Sequence, residues 1–219
     1  VASSASTNQT ACAAGTYQPN TGQSSCIDAS AGHYVASTAS TGQTPCAAGT
    51  YQPNTGQSSC LDAPAGTYVD TTGATSSTDC PVGTYQPNTG QSSCIDAGAG
   101  YFVDETGSMN QTACDLGTYQ NQTGQSACID APAGTFVNTT AATSPTDCLV
   151  GTYQPNTGQT SCIDTPAGTY VDTTGATTPT DCPVGTYQPD VGQTSCIDAD
   201  AGYYVPNPGS TNQTACSFG

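Results

Sequence analysis

The thirteen cysteines of this 219-residue chain are separated by two spacings that alternate without exception, a shorter one as from Cys12 to Cys26 and a longer one as from Cys26 to Cys46. The chain is therefore a tandem repeat of 34 residues, and its fold must repeat with the same period. A glycine recurs at half this period, as at Gly15, Gly32 and Gly49, and an aromatic residue follows two positions after each of the first twelve such glycines. We expect each repeat to consist of two related half-units of equal length.

The cysteine period divides the chain into six complete repeats with a partial repeat at each end. The complete repeats are predicted at residues 12–45, 46–79, 80–113, 114–147, 148–181 and 182–215, and the partial ones at residues 1–11 and 216–219. Both ends of the sequence fall in the middle of a repeat, and we expect the natural polypeptide to continue beyond one or both of them.

Each half-unit has the residue order of a short β-hairpin. In the first, Gly15-Thr16-Tyr17-Gln18 favours a strand, Pro19-Asn20-Thr21-Gly22 favours a turn, and Gln23-Ser24-Ser25 is the predicted return strand. The glycine before each Thr-aromatic pair is expected to have a positive φ or to allow a close backbone approach. No segment has apolar residues at helical spacing. The predicted fold class is a small disulfide-rich protein, mostly β or irregular, forming an elongated array of short hairpins with almost no helix.

The chain has too few large apolar residues for an ordinary core. Val, Ile, Leu and Phe make up 22 of the 219 residues, below the roughly 20% at which charged chains are usually disordered. The apolar residues predicted to pack in one repeat are Ile27, Tyr34, Val35, Cys46, Tyr51 and Cys60. Because so few side chains cannot offset the backbone entropy of 34 residues, disulfides and stacking of successive repeats must supply the remaining stability.

The cysteine spacing allows two regular disulfide registers. Pairing across the shorter spacing would leave Cys216 single, and pairing across the longer spacing would leave Cys12 single. Both loops are centred just after the aromatic residue, and the shorter one closes nearer the turn, which favours it. In either register, this density of cysteine indicates an oxidising, extracellular compartment.

Several stretches resemble the cysteine-rich repeat of ephrin-type receptors and, more distantly, the first hairpin of tumour necrosis factor receptor modules. The stretches are Cys80-Pro81-Val82-Gly83-Thr84-Tyr85 followed by Cys94, and Ala65-Gly66-Thr67-Tyr68 followed by Thr78-Asp79-Cys80. The resemblance implies a ladder of hairpins in which the cysteines flanking Gly-Thr-Tyr pair with each other. The disulfide cysteines predicted in this way are Cys12, Cys26, Cys46, Cys60, Cys80, Cys94, Cys114, Cys128, Cys148, Cys162, Cys182 and Cys196, with Cys216 unpaired in this chain.

The charge of the chain excludes nucleic acid as a partner. It has 16 acidic residues, no Lys and no Arg, whereas a protein that neutralises phosphates needs cationic side chains. No run approaches the roughly 18–20 apolar residues of a membrane span. The single histidine, His33, stands where other half-units have Thr and is interpreted as a tolerated surface substitution, so we expect no catalytic residues and no enzymatic activity.

Modification sites and cations are the remaining chemical possibilities. Acceptor sequons for N-glycosylation occur at Asn8, Asn110, Asn121, Asn138 and Asn212. Thr-rich turns such as Thr177-Thr178-Pro179-Thr180 are possible sites of O-glycosylation. No cofactor or metal site is predicted. Calcium is a minor alternative at a recurrent aspartate, which also suits hydrogen bonding to hydroxyl or backbone groups; the aspartates are Asp28, Asp62, Asp96, Asp130, Asp164 and Asp198.

We therefore predict an extracellular or cell-surface structural glycoprotein that associates with copies of itself into a rod, stalk, filament or fibril. Near-identical repeats present the same faces many times, which suits such association. The alternative is an adhesive or receptor-like ectodomain that binds a protein or glycan ligand.

Overall fold

A computed structural model describes residues 8–217 of the chain. The predicted partial repeats at residues 1–11 and 216–219 therefore lie partly outside the described residues. Within residues 8–217 there are twelve two-stranded antiparallel sheets and no helix. The array of short hairpins with a 34-residue repeat is confirmed.

Each hairpin consists of two strands of two residues, and the hairpins are numbered 1 to 12 in chain order. The strand pairs are β1 (Thr16–Tyr17) and β2 (Ile27–Asp28), β3 (His33–Tyr34) and β4 (Thr44–Pro45), β5 (Thr50–Tyr51) and β6 (Leu61–Asp62), β7 (Thr67–Tyr68) and β8 (Thr78–Asp79), β9 (Thr84–Tyr85) and β10 (Ile95–Asp96), β11 (Tyr101–Phe102) and β12 (Thr112–Ala113), β13 (Thr118–Tyr119) and β14 (Ile129–Asp130), β15 (Thr135–Phe136) and β16 (Thr146–Asp147), β17 (Thr152–Tyr153) and β18 (Ile163–Asp164), β19 (Thr169–Tyr170) and β20 (Thr180–Asp181), β21 (Thr186–Tyr187) and β22 (Ile197–Asp198), and β23 (Tyr203–Tyr204) and β24 (Thr214–Ala215).

A Gly-Thr-Tyr motif begins most of the hairpins. In hairpin 5, Thr84 pairs with Asp96, and the Thr84 hydroxyl donates to the Pro81 carbonyl at 2.8 Å. The backbone N–H of Ala97 then donates to the Gly83 carbonyl at 2.8 Å and closes the hairpin. The threonine therefore fixes the entry turn with its side chain while its backbone pairs in the strand.

The return strand begins later than predicted. The sequence pattern predicts it at residues 23–25, but in hairpin 1 it is Ile27–Asp28. The Gln18 side-chain amide donates to the Ser25 carbonyl at 2.8 Å, and the Asn20 N–H donates to the Gln18 side-chain oxygen at 3.1 Å. The intervening residues are thus held as a loop by a side chain, so they do not pair as a strand.

The prediction for the recurrent glycine is confirmed. Gly15 has a φ of +88°, and the backbone oxygen of Gly56, two hairpins further along, lies too close to the Cβ position of Gly15 for a side chain to fit there. Both expected reasons for glycine, a left-handed backbone and a close approach, apply together.

The described residues form two compact units. The first comprises the described residues up to Ala97 together with Val103–Gln111, and the second comprises Gly98–Phe102 together with the described residues from Thr112 onward.

Within each unit, successive hairpins are joined by backbone hydrogen bonds. In the first unit, the Gly49 N–H donates to the Val69 carbonyl at 2.7 Å and the Gln52 N–H donates to the Ala74 carbonyl at 3.0 Å. The second unit repeats this pattern, with the Gly151 N–H donating to the Val171 carbonyl at 2.8 Å. Each hairpin is therefore bonded to its neighbour in the chain, although each sheet has only two strands.

Hairpins two positions apart are also bonded. In the first unit, the Gly90 N–H in the turn of hairpin 5 donates to the Ala63 carbonyl at the end of hairpin 3, at 2.8 Å. In the second unit, the Gly192 N–H donates to the Thr165 carbonyl at 2.8 Å. Backbone contacts across three consecutive hairpins therefore replace a conventional apolar core.

The six disulfides join cysteines at a sequence separation of 14, which is the shorter of the two registers that the spacing allowed. Each closes an odd-numbered hairpin; the pairs are Cys12–Cys26, Cys46–Cys60, Cys80–Cys94, Cys114–Cys128, Cys148–Cys162 and Cys182–Cys196. The even-numbered hairpins have the same fold with another residue in place of the first cysteine, such as the fully buried Ala63.

The buried residues differ in part from the predicted core. Val35 and Cys46 are buried as expected, whereas Tyr34 is only half-buried. The prediction for Ile27 and its counterparts is wrong, because Ile27 is 44% exposed. Burial falls on the residues that directly follow the strands, as Val35 follows β3 and Cys46 follows β4, whereas the second-strand residues themselves, such as Ile27, are exposed.

Candidate functional site

The most regular feature of the surface is one exposed aliphatic side chain per repeat. It lies on the second strand of each odd-numbered hairpin, opposite the tyrosine of the first strand, as Ile95 lies opposite Tyr85. These side chains are between 43% and 46% exposed, and we call them the aliphatic row: Ile27, Leu61, Ile95, Ile129, Ile163 and Ile197. Because the same chemistry recurs at the same position of every repeat, a partner that binds one repeat finds the same contact in the next.

Shallow grooves lie beside the aromatic residues of even-numbered hairpins. One, in the first unit, is lined by Tyr34, Ala47, Thr50 and Cys60 among others. These grooves place an aromatic residue and a disulfide cysteine at the same surface.

The corresponding groove of the second unit has a larger aliphatic side chain in its wall. It is lined by Phe136, Leu149, Thr152 and Cys162, and also by Asn138 of a predicted sequon. Leu149, which replaces Ala47 of the other groove, is 69% exposed.

A buried glutamine shapes the turn of each disulfide hairpin from hairpin 3 onward. Gln86 is only 3% exposed; its side-chain amide donates to the Ser93 carbonyl at 2.8 Å, and its side-chain oxygen accepts from the Asn88 N–H at 3.1 Å. Even-numbered hairpins have a buried valine at this position, such as Val69. The sequence interpretation missed this role, although the strict alternation of Gln and Val after the aromatic residue was a visible signal.

A second glutamine replaces the missing disulfide in some even-numbered hairpins. Gln43 occupies the place that Cys26 has in hairpin 1, and its side-chain oxygen accepts from the Ser30 N–H at 2.7 Å. In hairpin 12, the Gln213 side-chain oxygen accepts from the Asp200 N–H at 2.7 Å. A hydrogen bond to the entry turn thus stands where the odd-numbered hairpins have a covalent bond.

The recurrent aspartates lie against glycine turns. A Cβ at Gly90 would lie 3.5 Å from the Asp62 carboxyl group, and the same relation joins Asp164 to Gly192 at 3.7 Å. Within residues 8–217, no three His, Cys, Asp or Glu side chains are grouped as a metal ion would require. His33, half-buried in β3, has its Nδ1 atom 3.3 Å from the Ala31 carbonyl oxygen.

The five predicted N-glycosylation asparagines are all exposed. Asn121 and Asn138 lie directly after the buried residue that follows a first strand, whereas Asn8, Asn110 and Asn212 each stand four positions before a cysteine. Cys216 is exposed and free.

These features define a class of protein: a disulfide-rich tandem repeat that is built from small hairpins and has no conventional domain core. A family model described as tyrosine-protein kinase ephrin type A/B receptor-like matches the chain five times, at residues 32–80, 77–114, 100–148, 146–182 and 178–216. The chain therefore belongs to this ephrin receptor-like family. No curated protein matches the chain.

Membership of this family, together with the disulfides, indicates an extracellular, receptor-like ectodomain at or outside the cell surface. In the described part of the chain, no helix has the length and apolar character needed to cross a membrane.

Proposed function

We propose that the chain is a non-enzymatic structural repeat of the extracellular surface, and that copies associate through the aliphatic row into a stalk or fibril. The observation that carries the proposal is the recurrence of a 43–46% exposed Ile or Leu at one strand position in every repeat. Exposed apolar side chains that recur regularly favour association, since their burial between copies removes apolar surface from water.

The charge of the chain sets the conditions for association. A formal charge of −16 without Lys or Arg means that two copies repel each other. Salt screens this repulsion, with a Debye length of about 10 Å at 0.1 M and about 30 Å at 0.01 M. Assembly should therefore increase with ionic strength, the opposite of an association driven by salt bridges.

The test uses the full chain, examined by electron microscopy and sedimentation at low and at physiological salt. The variant Ile129→Ser, Ile163→Ser and Ile197→Ser removes three members of the row from exposed strand positions. The matched control changes exposed threonines at the same strand position of the intervening hairpins, Thr146→Ser, Thr180→Ser and Thr214→Ser. Fibrils that disappear only in the isoleucine variant support the proposal, and fibrils that persist in it overturn the role of the row.

We further propose that the protein is N-glycosylated. Support comes from the exposure of all five sequon asparagines and from the extracellular character of the family. Peptide mass spectrometry of protein from its natural source tests this at each asparagine, and unmodified asparagine at all five sites would contradict it.

The second candidate function is an ectodomain that binds a separate partner, and the specific observation in its favour is the receptor-like family. Two hairpins also depart from the common pattern by placing two aromatic residues in the first strand, Tyr101–Phe102 and Tyr203–Tyr204. Dispersed monomers at physiological salt that retain a specific partner would favour this function over self-association.

A further inference from the structure

We propose that the first sugar of the Asn138 glycan packs into the groove beside Phe136 and covers its apolar wall. This inference rests on the N-glycosylation proposed above and assigns an internal contact to one of the five glycans. The occupant of the groove would thus be an N-acetylglucosamine that the chain itself carries.

The backbone places the acceptor and the ring on the same side. Phe136 ends strand β15, Val137 follows it and is 3% exposed, and Asn138 comes next and is exposed. Because side chains alternate across extended backbone, residues 136 and 138 face the same way while Val137 faces inward. The groove agrees with this, since Phe136 and Asn138 both line it.

The rest of the groove suits a pyranose ring. Leu149, Thr152 and Cys162 line it together with Thr146, and Leu149 is 69% exposed, the most exposed of the large apolar side chains in the described residues. One face of an N-acetylglucosamine carries C–H groups and its acetamido methyl is apolar, so it can cover an aromatic ring and an aliphatic side chain. Its hydroxyl groups can donate to Asp147, which also lines the groove.

Attachment requires no chemistry beyond ordinary N-glycosylation. The Asn138 side-chain nitrogen forms a bond to the anomeric carbon of an oligosaccharide carried on a lipid diphosphate. The bond from that carbon to the diphosphate breaks, the lipid diphosphate leaves with the electron pair, and the nitrogen loses one proton. The sequon Asn138-Thr139-Thr140 supplies the acceptor.

The chain offers internal comparisons. The related groove at Tyr34 has Ala36 in place of the sequon asparagine and Ala47 in place of Leu149, so it lacks both the acceptor and the large aliphatic wall. Asn121 follows Tyr119 as Asn138 follows Phe136, but Pro132 stands there in place of Leu149. The sequons at Asn110 and Asn212 have Ser108 and Ser210 two residues before the asparagine, with no aromatic ring there. Their glycans should therefore remain in solvent.

The experiment uses the full chain secreted from an N-glycosylating host. Mass spectrometry first establishes occupancy at Asn138, and an endoglycosidase then trims each glycan to one N-acetylglucosamine. We expect trimming to leave the melting temperature unchanged and Asn138→Gln to lower it by about 2–4 °C, the shift expected for about 1 kcal/mol in a chain of this size. The control Asn212→Gln should not change the melting temperature.

Nuclear magnetic resonance should show the acetamido methyl of the trimmed sugar shifted upfield by the Phe136 ring.

The possible outcomes distinguish the packing of the Asn138 sugar on Phe136 from the proposal that the chain is N-glycosylated. Loss of the upfield shift in Phe136→Leu, a variant that keeps an apolar wall, would support the contact. A glycan present at Asn138 with neither the upfield shift nor a stability difference would overturn the inference and leave glycosylation intact. An unmodified Asn138 in protein glycosylated elsewhere would overturn the inference alone, and an absence of glycan at every sequon would overturn both.

Discussion

The backbone oxygen of Gly107 lies too close to the Cβ position of Gly66 for a side chain to fit there, although the two glycines belong to different repeats. Gly66 has a φ of +81° and precedes strand β7, whereas Gly107 lies in the turn of hairpin 6. The contact between them sets how closely hairpins two positions apart can approach. A single methyl group at Gly66 should therefore be strongly destabilising.

We expect Gly66→Ala to destabilise the first unit severely. The left-handed backbone alone costs a non-glycine residue about 1–2 kcal/mol, and the new methyl group must in addition displace backbone, which cannot rotate away as a side chain can. A urea titration followed by circular dichroism should show a large drop in the midpoint.

The matched control is Gly73→Ala, in the turn of hairpin 4. Gly73 also has a positive φ, +72°, but the nearest atoms to its Cβ position are 3.9 Å away. The corresponding turn position is already alanine at Ala39 and Ala141, with φ of 58° and 56°. The cost should therefore be limited to that of the left-handed backbone, about 1–2 kcal/mol, and equal losses in the two variants would show that the backbone contact contributes nothing.

The disulfides should stabilise their hairpins locally. The double variant Cys80→Ala and Cys94→Ala opens a loop with a sequence separation of 14, which the chain-entropy estimate values at about 3 kcal/mol. Alanine fits at position 80 because Ala63 and Ala97, at the equivalent positions of the neighbouring hairpins, are fully buried. Hydrogen exchange should accelerate in hairpin 5 and its neighbours first.

The control for the disulfide variant is Cys216→Ser, because Cys216 is free and exposed. It should leave hydrogen exchange unchanged throughout the described residues. Unaltered protection of hairpin 5 in the double variant would mean that contacts between hairpins suffice without the bridge.

The buried glutamine predicts a pH-dependent variant. Gln86→Glu places a carboxyl group at a site that is 3% exposed, where the Ser93 carbonyl needs a donor. Burial and that carbonyl both disfavour the charged form and together outweigh the Asn88 N–H, which donates to the side-chain oxygen at 3.1 Å, so the pKa of the introduced carboxyl should rise above about 4.3, its unperturbed value. The folded state then binds more protons than the unfolded state, and stability falls as the pH rises above about 4.3.

Thermal unfolding of this variant between acid and neutral pH provides the measurement. Gln91→Glu, in the same turn, is the control, because the Gln91 side chain bonds only the nearby Thr89 carbonyl, at 3.0 Å and in an exposed setting. The difference in melting temperature between the two variants should widen from pH 4 to pH 7. A constant difference would argue that the Gln86 site is open to water.

The sequence was sufficient to predict the repeat, the hairpins and the positive φ of Gly15, because each depends on local chemistry that recurs at fixed spacing. It was not sufficient to place Ile27 or Gln86. An aliphatic residue is usually buried, but here the second-strand positions are exposed and burial falls on the residue that directly follows the strand, such as Ala29 after Ile27–Asp28. The partners of Gln86 are backbone groups of its own loop, which no side-chain pattern reveals.

The candidate site likewise has one part that the sequence predicts and another that only the structure reveals. Sequons can be found in the sequence, but the groove that Asn138 shares with Phe136 and Leu149 requires the packing of one hairpin against the next. Residues 136 and 149 belong to different half-units, so their proximity is a consequence of the stacking and not of either hairpin alone.

One irregularity of the repeat gives a final prediction. Thr165 stands where the other described repeats have alanine, is completely buried, and accepts a hydrogen bond from the Gln193 N–H at 2.9 Å. Thr165→Ala removes this acceptor and should cost about 0.5–1.5 kcal/mol, the net value of a typical hydrogen bond.

The reverse change, Ala63→Thr, places a hydroxyl at the equivalent position in hairpin 3, where the Gln91 N–H corresponds to that of Gln193. Because Thr165 shows that the site accommodates the extra atoms, Ala63→Thr should be neutral or stabilising in a urea titration. A loss of stability there would mean that the packing around hairpins 3 and 9 differs despite their common sequence pattern.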